Sequence, residues 1–262
     1  MIKINGEEIH KENFPDGTLL LKYAPQGTEI KIYRKFENNE ELITLYYLTR
    51  SLQEKGYGDI ELIMPYIPNA RQDRIKKEED IFTLKYFSEI INTLNFKKVY
   101  VLDPHSDVSS ALIHRIEKMP VTPYIEKAVN LSGISVDKDV IFYPDNGSQK
   151  RYSELFTFPN AFGIKTRDWV TGEIKGLEVA GSIPNESFDV LIIDDISSYG
   201  GTFYFSALKL KELGARKIYL YITHCENSIL KGKLLAGDLI EHIYTTNSLF
   251  TSQHEKITVF EI

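Results

Sequence analysis

Apolar residues in this chain fall into short runs separated by longer amphipathic stretches, and that rhythm constrains the fold more than any other feature. IKIYRKF (Ile30–Phe36), IELIMPY (Ile60–Tyr66), KKVYVLD (Lys97–Asp103), VIFYPD (Val140–Asp145), FDVLIIDD (Phe188–Asp195) and KIYLYITH (Lys217–His224) read as strands. Helical patterns run from Asn39 to about Lys55 and begin near Ile81, Val108, Ser148 and Thr202. Near-continuous apolar strands alternating with helices predict parallel sheets covered on both faces, the α/β class. KMPVTP, ending at Pro123, reads as a linker between two lobes, 1–118 and 119–255, with a last strand over 256–262 that returns to the first lobe.

Composition narrows the partners. With 31 basic against 37 acidic residues and a net charge of −6, the chain lacks the positive surface that nucleic acid requires. The single cysteine, Cys225, leaves no disulfide framework or cysteine-rich zinc site and suggests a reducing compartment. No apolar run approaches the roughly 18 residues of a membrane span. MIKINGEEIHKENFPDG has no basic-then-apolar secretory pattern, so a cytoplasmic location and no membrane partner are expected.

In open parallel sheets, ligands bind beyond the carboxyl ends of the strands. Three strands end there in polar clusters: VLDPHSD, FYPDNGSQKR and IIDDISSYGGT. In the last, the apolar residues Val190–Ile193 enter the sheet and bring Asp194 and Asp195 to its edge. Gly200 and Gly201 let the backbone approach an anion closely. The free N–H groups of a helix beginning there, with Thr202 as capping hydroxyl, make a phosphate cradle. Two carboxylates beside such a cradle suit a sugar phosphate, because they accept hydrogen bonds from ribose hydroxyls. The plainer alternative is a strand–turn–helix corner whose acids face water.

Two other segments carry useful chemistry. ARQDR (Ala70–Arg74) puts two guanidinium groups and an amide on one loop, where Arg forks match phosphate oxygens. A solvated charged loop continuing into KKEED is its bland counterpart. Lys165 and Arg167, at i and i+2 of an extended segment, point to one side, although IKTRDWVTGEIKG also reads as a hairpin turning near Thr171–Gly172.

Taken in order, these segments resemble the ribose-phosphate diphosphokinase (phosphoribosyl-diphosphate synthetase) family, which has a phosphoribosyltransferase-type fold. The loop after Ile193 is similar to the family's two acids, two aliphatics and Asp-Thr-Gly-Gly-Thr. FPDG (Phe14–Gly17) resembles its Phe-x-Asp-Gly-Glu, and MPYIPNARQDR (Met64–Arg74) its Pro-Tyr-x-x-Tyr-Ala-Arg-Gln-Asp-Arg loop. LDPHSD resembles its Asp-Leu-His, PDNGSQKR its Pro-Asp-x-Gly-x-x-Lys-Arg, IKTRD (Ile164–Asp168) its Lys-x-Arg loop and ITHCE its Thr-His segment.

The resemblance implies two phosphoribosyltransferase-like lobes, each a mainly parallel sheet flanked by helices. It implies transfer of the terminal diphosphate of ATP to the 1-hydroxyl of ribose 5-phosphate with release of AMP, Mg²⁺ as cofactor, and a homo-oligomer. It assigns Arg71, Gln72 and His105 to ATP, with Phe14 and Asp16 meeting the adenine across a subunit contact. It assigns His105 and Asp145 to the magnesium–ATP unit. Asp145 is the better ligand of the two, since hard cations favour oxygen. Asp194, Asp195, Ser197, Ser198, Tyr199, Gly200, Gly201 and Thr202 fall to the ribose phosphate, and Lys165 and Arg167 to catalysis. Lys150 and Arg151 read as a domain surface.

The chain departs from the family at the acceptor loop, where Ser198 and Tyr199 stand in place of Asp and Thr, and at Thr18, which stands in place of Glu. Loss of a carboxylate at Ser198 is expected to remove negative charge and to ease the entry of an acceptor with further phosphate, such as ADP-ribose. Two other readings compete: a non-catalytic regulatory subunit and a true phosphoribosyltransferase. Retention of His105, Lys165 and Arg167 argues against the first, and the ARQDR loop against the second.

Overall fold

Most of the apolar runs become strands and the amphipathic stretches become helices in a computed structural model describing residues 1–167, 174–184 and 186–262, with backbone alone at 165–167 and 174–175. The chain forms two units, Met1–Pro120 and Val121–Ile262.

The first unit contains β1 (Ile2–Ile4), β2 (Glu7–Glu8), β3 (Lys11–Asn13), β4 (Leu19–Leu21), β5 (Ile30–Arg34), α1 (Glu40–Glu54), β6 (Ile60–Ile63), α2 (Thr83–Thr93), β7 (Lys98–Leu102), α3 (Asp107–Leu112) and β8 (Ile116–Met119). Its sheet runs β2-β1-β5-β6-β7-β8. Strands β5 to β8 are mutually parallel, whereas β1 and β2 add an antiparallel edge. β3 and β4 form a separate antiparallel hairpin. On α1, Leu45, Leu48 and Leu52 recur at helical spacing and bury one stripe against Ile32 and Leu62 of the sheet.

The second unit contains α4 (Thr122–Ser132), β9 (Val140–Tyr143), α5 (Asn146–Tyr152), β10 (Asn160–Arg167), β11 (Ile174–Gly181), β12 (Phe188–Ser197), α6 (Gly201–Glu212), β13 (Ala215–Cys225), β14 (His242–Thr246) and β15 (Ile257–Phe260). The sheet order is β11-β10-β9-β12-β13-β14-β15, parallel throughout except for β11. β12 is buried on both faces. Val190 and Ile192 share one core with Phe203, Ala207 and Leu210 of α6, while Leu191 and Ile193 share another with Ile125 and Ala128 of α4. That double burial is why Val190–Ile193 reads as one continuous apolar run.

Two expectations change. KMPVTP is not a free linker: Met119 ends β8, and Thr122 opens α4 with Pro123 in its first turn, where a missing N–H costs nothing. The last strand does not return to the first unit. Ile257–Phe260 pairs with β14 from Ile243↔Ile257 to Thr246↔Phe260 and packs its side chains into the second unit's cores. The predicted hairpin exists as β10 and β11, paired from Ala161↔Gly181 to Arg167↔Ile174, but its turn at Thr171–Gly172 lies outside the described residues. No described helix is long and apolar enough to cross a membrane.

Ile192 is fully buried beneath α6. Ile192→Ala is expected to cost about 2–5 kcal/mol in a urea unfolding experiment, the range for emptying a well-packed core site.

Candidate functional site

In the first unit the polar loops after β6 and β7 begin side by side. Met64 N donates to Tyr100 O at 2.8 Å and Leu102 N to Pro65 O at 3.0 Å, which extends the pairing past the last regular rung. Beyond that point Asn69 and Asp103 both take positive φ, 63° and 44°, conformations that short polar side chains tolerate best. Asp103 is buried, whereas Arg71 and Gln72 are exposed and His105 half-exposed.

The sequence reading passed over Asp73. Its carboxylate, 5% exposed, accepts from Arg74 Nε at 2.7 Å and Nη2 at 3.0 Å, so this guanidinium is spent on a two-point grip within the loop. The Arg74 hydrogen bond outweighs the cost of burial and holds the Asp73 carboxyl below its ordinary range. Gln72 Oε1 accepts from Thr83 Oγ1 at 2.7 Å and Gln72 O from Leu84 N at 3.3 Å, fastening the loop to the start of α2.

Phe14 and Asp16 lie on the tip of the separate β3–β4 hairpin. Asp16 Oδ1 accepts from Thr18 N at 2.9 Å and Thr18 Oγ1 at 2.7 Å, which lowers its pKa. Gly17, at φ 84°, completes the turn. Thr18, in the position of the family's acid, thus closes the turn, and Asp16 serves it too. Phe14 is 49% exposed at the tip.

In the second unit the geometry turns on unequal strand lengths. β12 stays paired with β13 as far as Ser197↔Cys225, but its pairing with β9 stops at Ile192↔Phe142. Asp194 and Asp195 therefore lie within a strand, rather than past its end, and beside the place where the neighbouring strand has run out. Arg151 of α5 reaches both: Nη2 is 2.6 Å from Asp195 Oδ1 and 3.5 Å from Asp194 Oδ1. Asp195 N also donates to Asp194 Oδ1 at 3.0 Å.

The side chains of Asp194 and Asp195 are 13% and 2% exposed. Burial, then the neighbouring Asp195 charge, pushes the Asp194 carboxyl well above its ordinary range, and Arg151 opposes that shift. Arg151, expected on a domain surface, is instead the countercation of the pair. Its position follows from Asp145, which caps α5: Asp145 Oδ1 accepts from Gly147 N at 3.0 Å and Ser148 N at 3.1 Å in a capping box. The signal was present in PDNGSQKR as a capped helix with cations in its last turn.

The loop after β12 differs from expectation at two points. The N-cap of α6 is Gly200 at φ 78°, with no side-chain cap, so Thr202 lies inside the first turn and is not the capping hydroxyl. At Ser198 another carboxylate stands close by. Ser198 Oγ donates to Glu226 Oε1 at 2.8 Å, so a carboxylate from the end of β13 occupies the neighbourhood that the substitution was expected to vacate. Ser197 is buried, Gly201 exposed and Tyr199 61% exposed. Lys165 and Arg167 lie on β10, opposite Leu177 and Ile174, and their side chains fall outside the described residues, as does the whole of Asp168.

This fold and its polar rims define a phosphoribosyltransferase-type α/β protein with two such units. Within that class the chain is similar to proteins named ribose-phosphate pyrophosphokinase. It is 26% identical over 231 residues to the ribose-phosphate pyrophosphokinase of Thermococcus kodakarensis, covering 83% of this chain and 77% of that one. Against the Sulfurisphaera tokodaii protein of that name it is 26% identical over 265 residues, covering 97% and 89%. Against ribose-phosphate pyrophosphokinase 2 of Enterococcus faecalis it is 28% identical over 253 residues, covering 93% and 77%. The crystal structure of phosphoribosylpyrophosphate synthetase from Mycobacterium smegmatis shares the fold, with a TM-score of 0.76 over 97% of this chain and 86% of that one, at 20% identity. No protein-family model matches the chain.

Two outcomes test the electrostatics. Arg151→Ala leaves two neighbouring carboxylates without their cation and is expected to cost about 3 kcal/mol in denaturant unfolding. A carboxyl whose folded pKa is raised destabilises the fold as pH climbs from its unfolded value through the folded one. Asp194→Asn is therefore expected to raise Tm by a few degrees at neutral pH and to flatten that decline in a melting series from acid to neutral pH.

Proposed function

We propose that this chain is an ATP-dependent diphosphotransferase that moves the β,γ-diphosphate of ATP to the anomeric 1-hydroxyl of a ribose 5-phosphate-type acceptor, releasing AMP. The observation that carries the reading is the Asp194–Asp195 pair held by Arg151, followed directly by the glycine turn that opens α6. Two carboxylates on adjacent positions suit vicinal ribose hydroxyls, and free N–H groups at a helix start suit the 5-phosphate. The names of the homologous proteins support the same chemistry.

Arg71 and Gln72 bind the nucleotide, with His105 beside its phosphates. Asp194 and Asp195 accept hydrogen bonds from the ribose hydroxyls, and the loop from Ser197 to Thr202 receives the phosphate. The 1-hydroxyl oxygen attacks the β-phosphorus in line. Its bond to that phosphorus forms as the bridge to the α-phosphate breaks, AMP takes the electron pair, and the proton passes to water. Lys165 and Arg167 neutralise charge that develops on the transferred group.

Magnesium is the implied cofactor. Among the described residues no three or more His, Cys, Asp or Glu side chains gather as a ready-made metal centre. That fits an ion held mainly by substrate phosphates with one or two protein groups. Asp145 offers the oxygen that such a hard cation favours, and the ion, when bound, would neutralise ATP phosphate charge. A homo-oligomer belongs to the same reading, with Phe14 on its exposed hairpin tip meeting the adenine bound by a second copy.

One observation favours an acceptor extended at the 5′ end, such as ADP-ribose. Tyr199 is 61% exposed on the acceptor loop, where it offers a ring on which a base stacks.

Purified protein incubated with Mg-ATP and either ribose 5-phosphate or ADP-ribose is expected to release AMP in step with consumption of one acceptor, seen by nucleotide chromatography. No AMP with both acceptors defeats the reading. Lys165→Ala is expected to lower kcat about 10³-fold, as for other cations that stabilise phosphoryl transfer.

A further inference from the structure

The loop between β12 and α6 is gripped from one side by residues 226–234, and a carboxylate sits at the centre of the grip. Glu226 N donates to Ser197 O at 2.9 Å. Its side chain accepts from Ser198 Oγ at 2.8 Å through one oxygen and from Ser228 Oγ at 3.1 Å through the other. Further along, the backbone crosses Tyr199 so closely that a Cβ on Gly232 would stand 1.9 Å from the Tyr199 carbonyl oxygen. A Cβ on Gly200 would stand 3.1 Å from Leu234. The gripping segment is itself anchored, because Asn227 Oδ1 accepts from Thr251 N at 3.0 Å and Ser252 N at 3.3 Å.

We propose that Glu226 is the positioning residue of the acceptor loop. By accepting the Ser198 hydroxyl and donating its N–H to Ser197 O, while Ser228 steadies its other carboxylate oxygen, it fixes the path of residues 197–199, on which the turn at Gly200 and the start of α6 are built. Glu226 touches neither substrate nor reacting atoms. It acts through the loop, and its effect falls on acceptor affinity rather than on the chemical step. This inference rests on the reading of the loop as the acceptor phosphate site.

The test pairs Glu226→Ala with Glu226→Gln, whose amide oxygen still accepts a serine hydrogen bond. Ser198→Ala serves as a milder variant that removes one donor. In the ligand-free protein, amide hydrogen exchange at residues 198–202 is expected to quicken about tenfold in Glu226→Ala, comparable to losing one charge-assisted hydrogen bond, and much less in Glu226→Gln. In turnover assays, Glu226→Ala is expected to raise the acceptor KM about tenfold while kcat and the ATP KM stay within about twofold. Unchanged exchange in both Glu226→Ala and Ser198→Ala overturns the proposal. So does a fall in kcat together with a rise in the ATP KM. If the wild-type chain turns over neither acceptor, the functional reading fails, and the exchange measurement still decides whether Glu226 holds the loop.

Discussion

Two consecutive acidic residues on a buried strand create an electrostatic demand that the second unit is arranged to meet. Adjacent strand positions face opposite sides of a sheet, so Asp194 and Asp195 would each enter a core if β9 continued beside them. β9 stops instead, and Arg151 occupies the opening with one nitrogen 2.6 Å from Asp195. The cost of burying like charges side by side is offset by one guanidinium and by the backbone N–H of Asp195. The raised proton affinity of Asp194 records what that compensation leaves uncovered.

The first unit meets the same demand on a smaller scale. Asp73 is buried in a loop rich in cations, and the adjacent Arg74 covers both of its oxygens. This internal pairing partners the buried Asp73 although Arg74 itself is 61% exposed. It also stiffens a loop that begins with two prolines and a residue of positive φ, Asn69. In both units, acidic side chains near the strand ends serve first to hold basic ones in place.

Much of this was legible in the sequence because parallel strands bury both faces and so appear as unbroken apolar runs. Val190–Ile193 and Val140–Tyr143 are of this kind, and the glycine turn after β12 was equally plain. β14 was not, because HIYTT carries buried threonines whose hydroxyls are satisfied within the fold: Thr246 Oγ1 donates to Thr223 O at 2.7 Å. Missing that strand also misplaced the last one, which needed β14 as its neighbour. Among site residues, Arg151 and Glu226 escaped because their roles depend on partners 44 and 28 positions away in the chain. Asp145 was read as a ligand when its visible task is to cap a helix, a reminder that one carboxylate at a strand–helix corner fits both descriptions.

That cap has a geometric consequence. From Asp145 the chain rises about 1.5 Å per residue along α5, so the height of Arg151 above the sheet is set by counting residues from a fixed end. The short helix works as a measuring rod whose zero is Asp145 and whose mark is the guanidinium. Adding or deleting one residue between them would rotate that mark about 100° around the helix axis, away from the acids, although every contact at the capped end would survive.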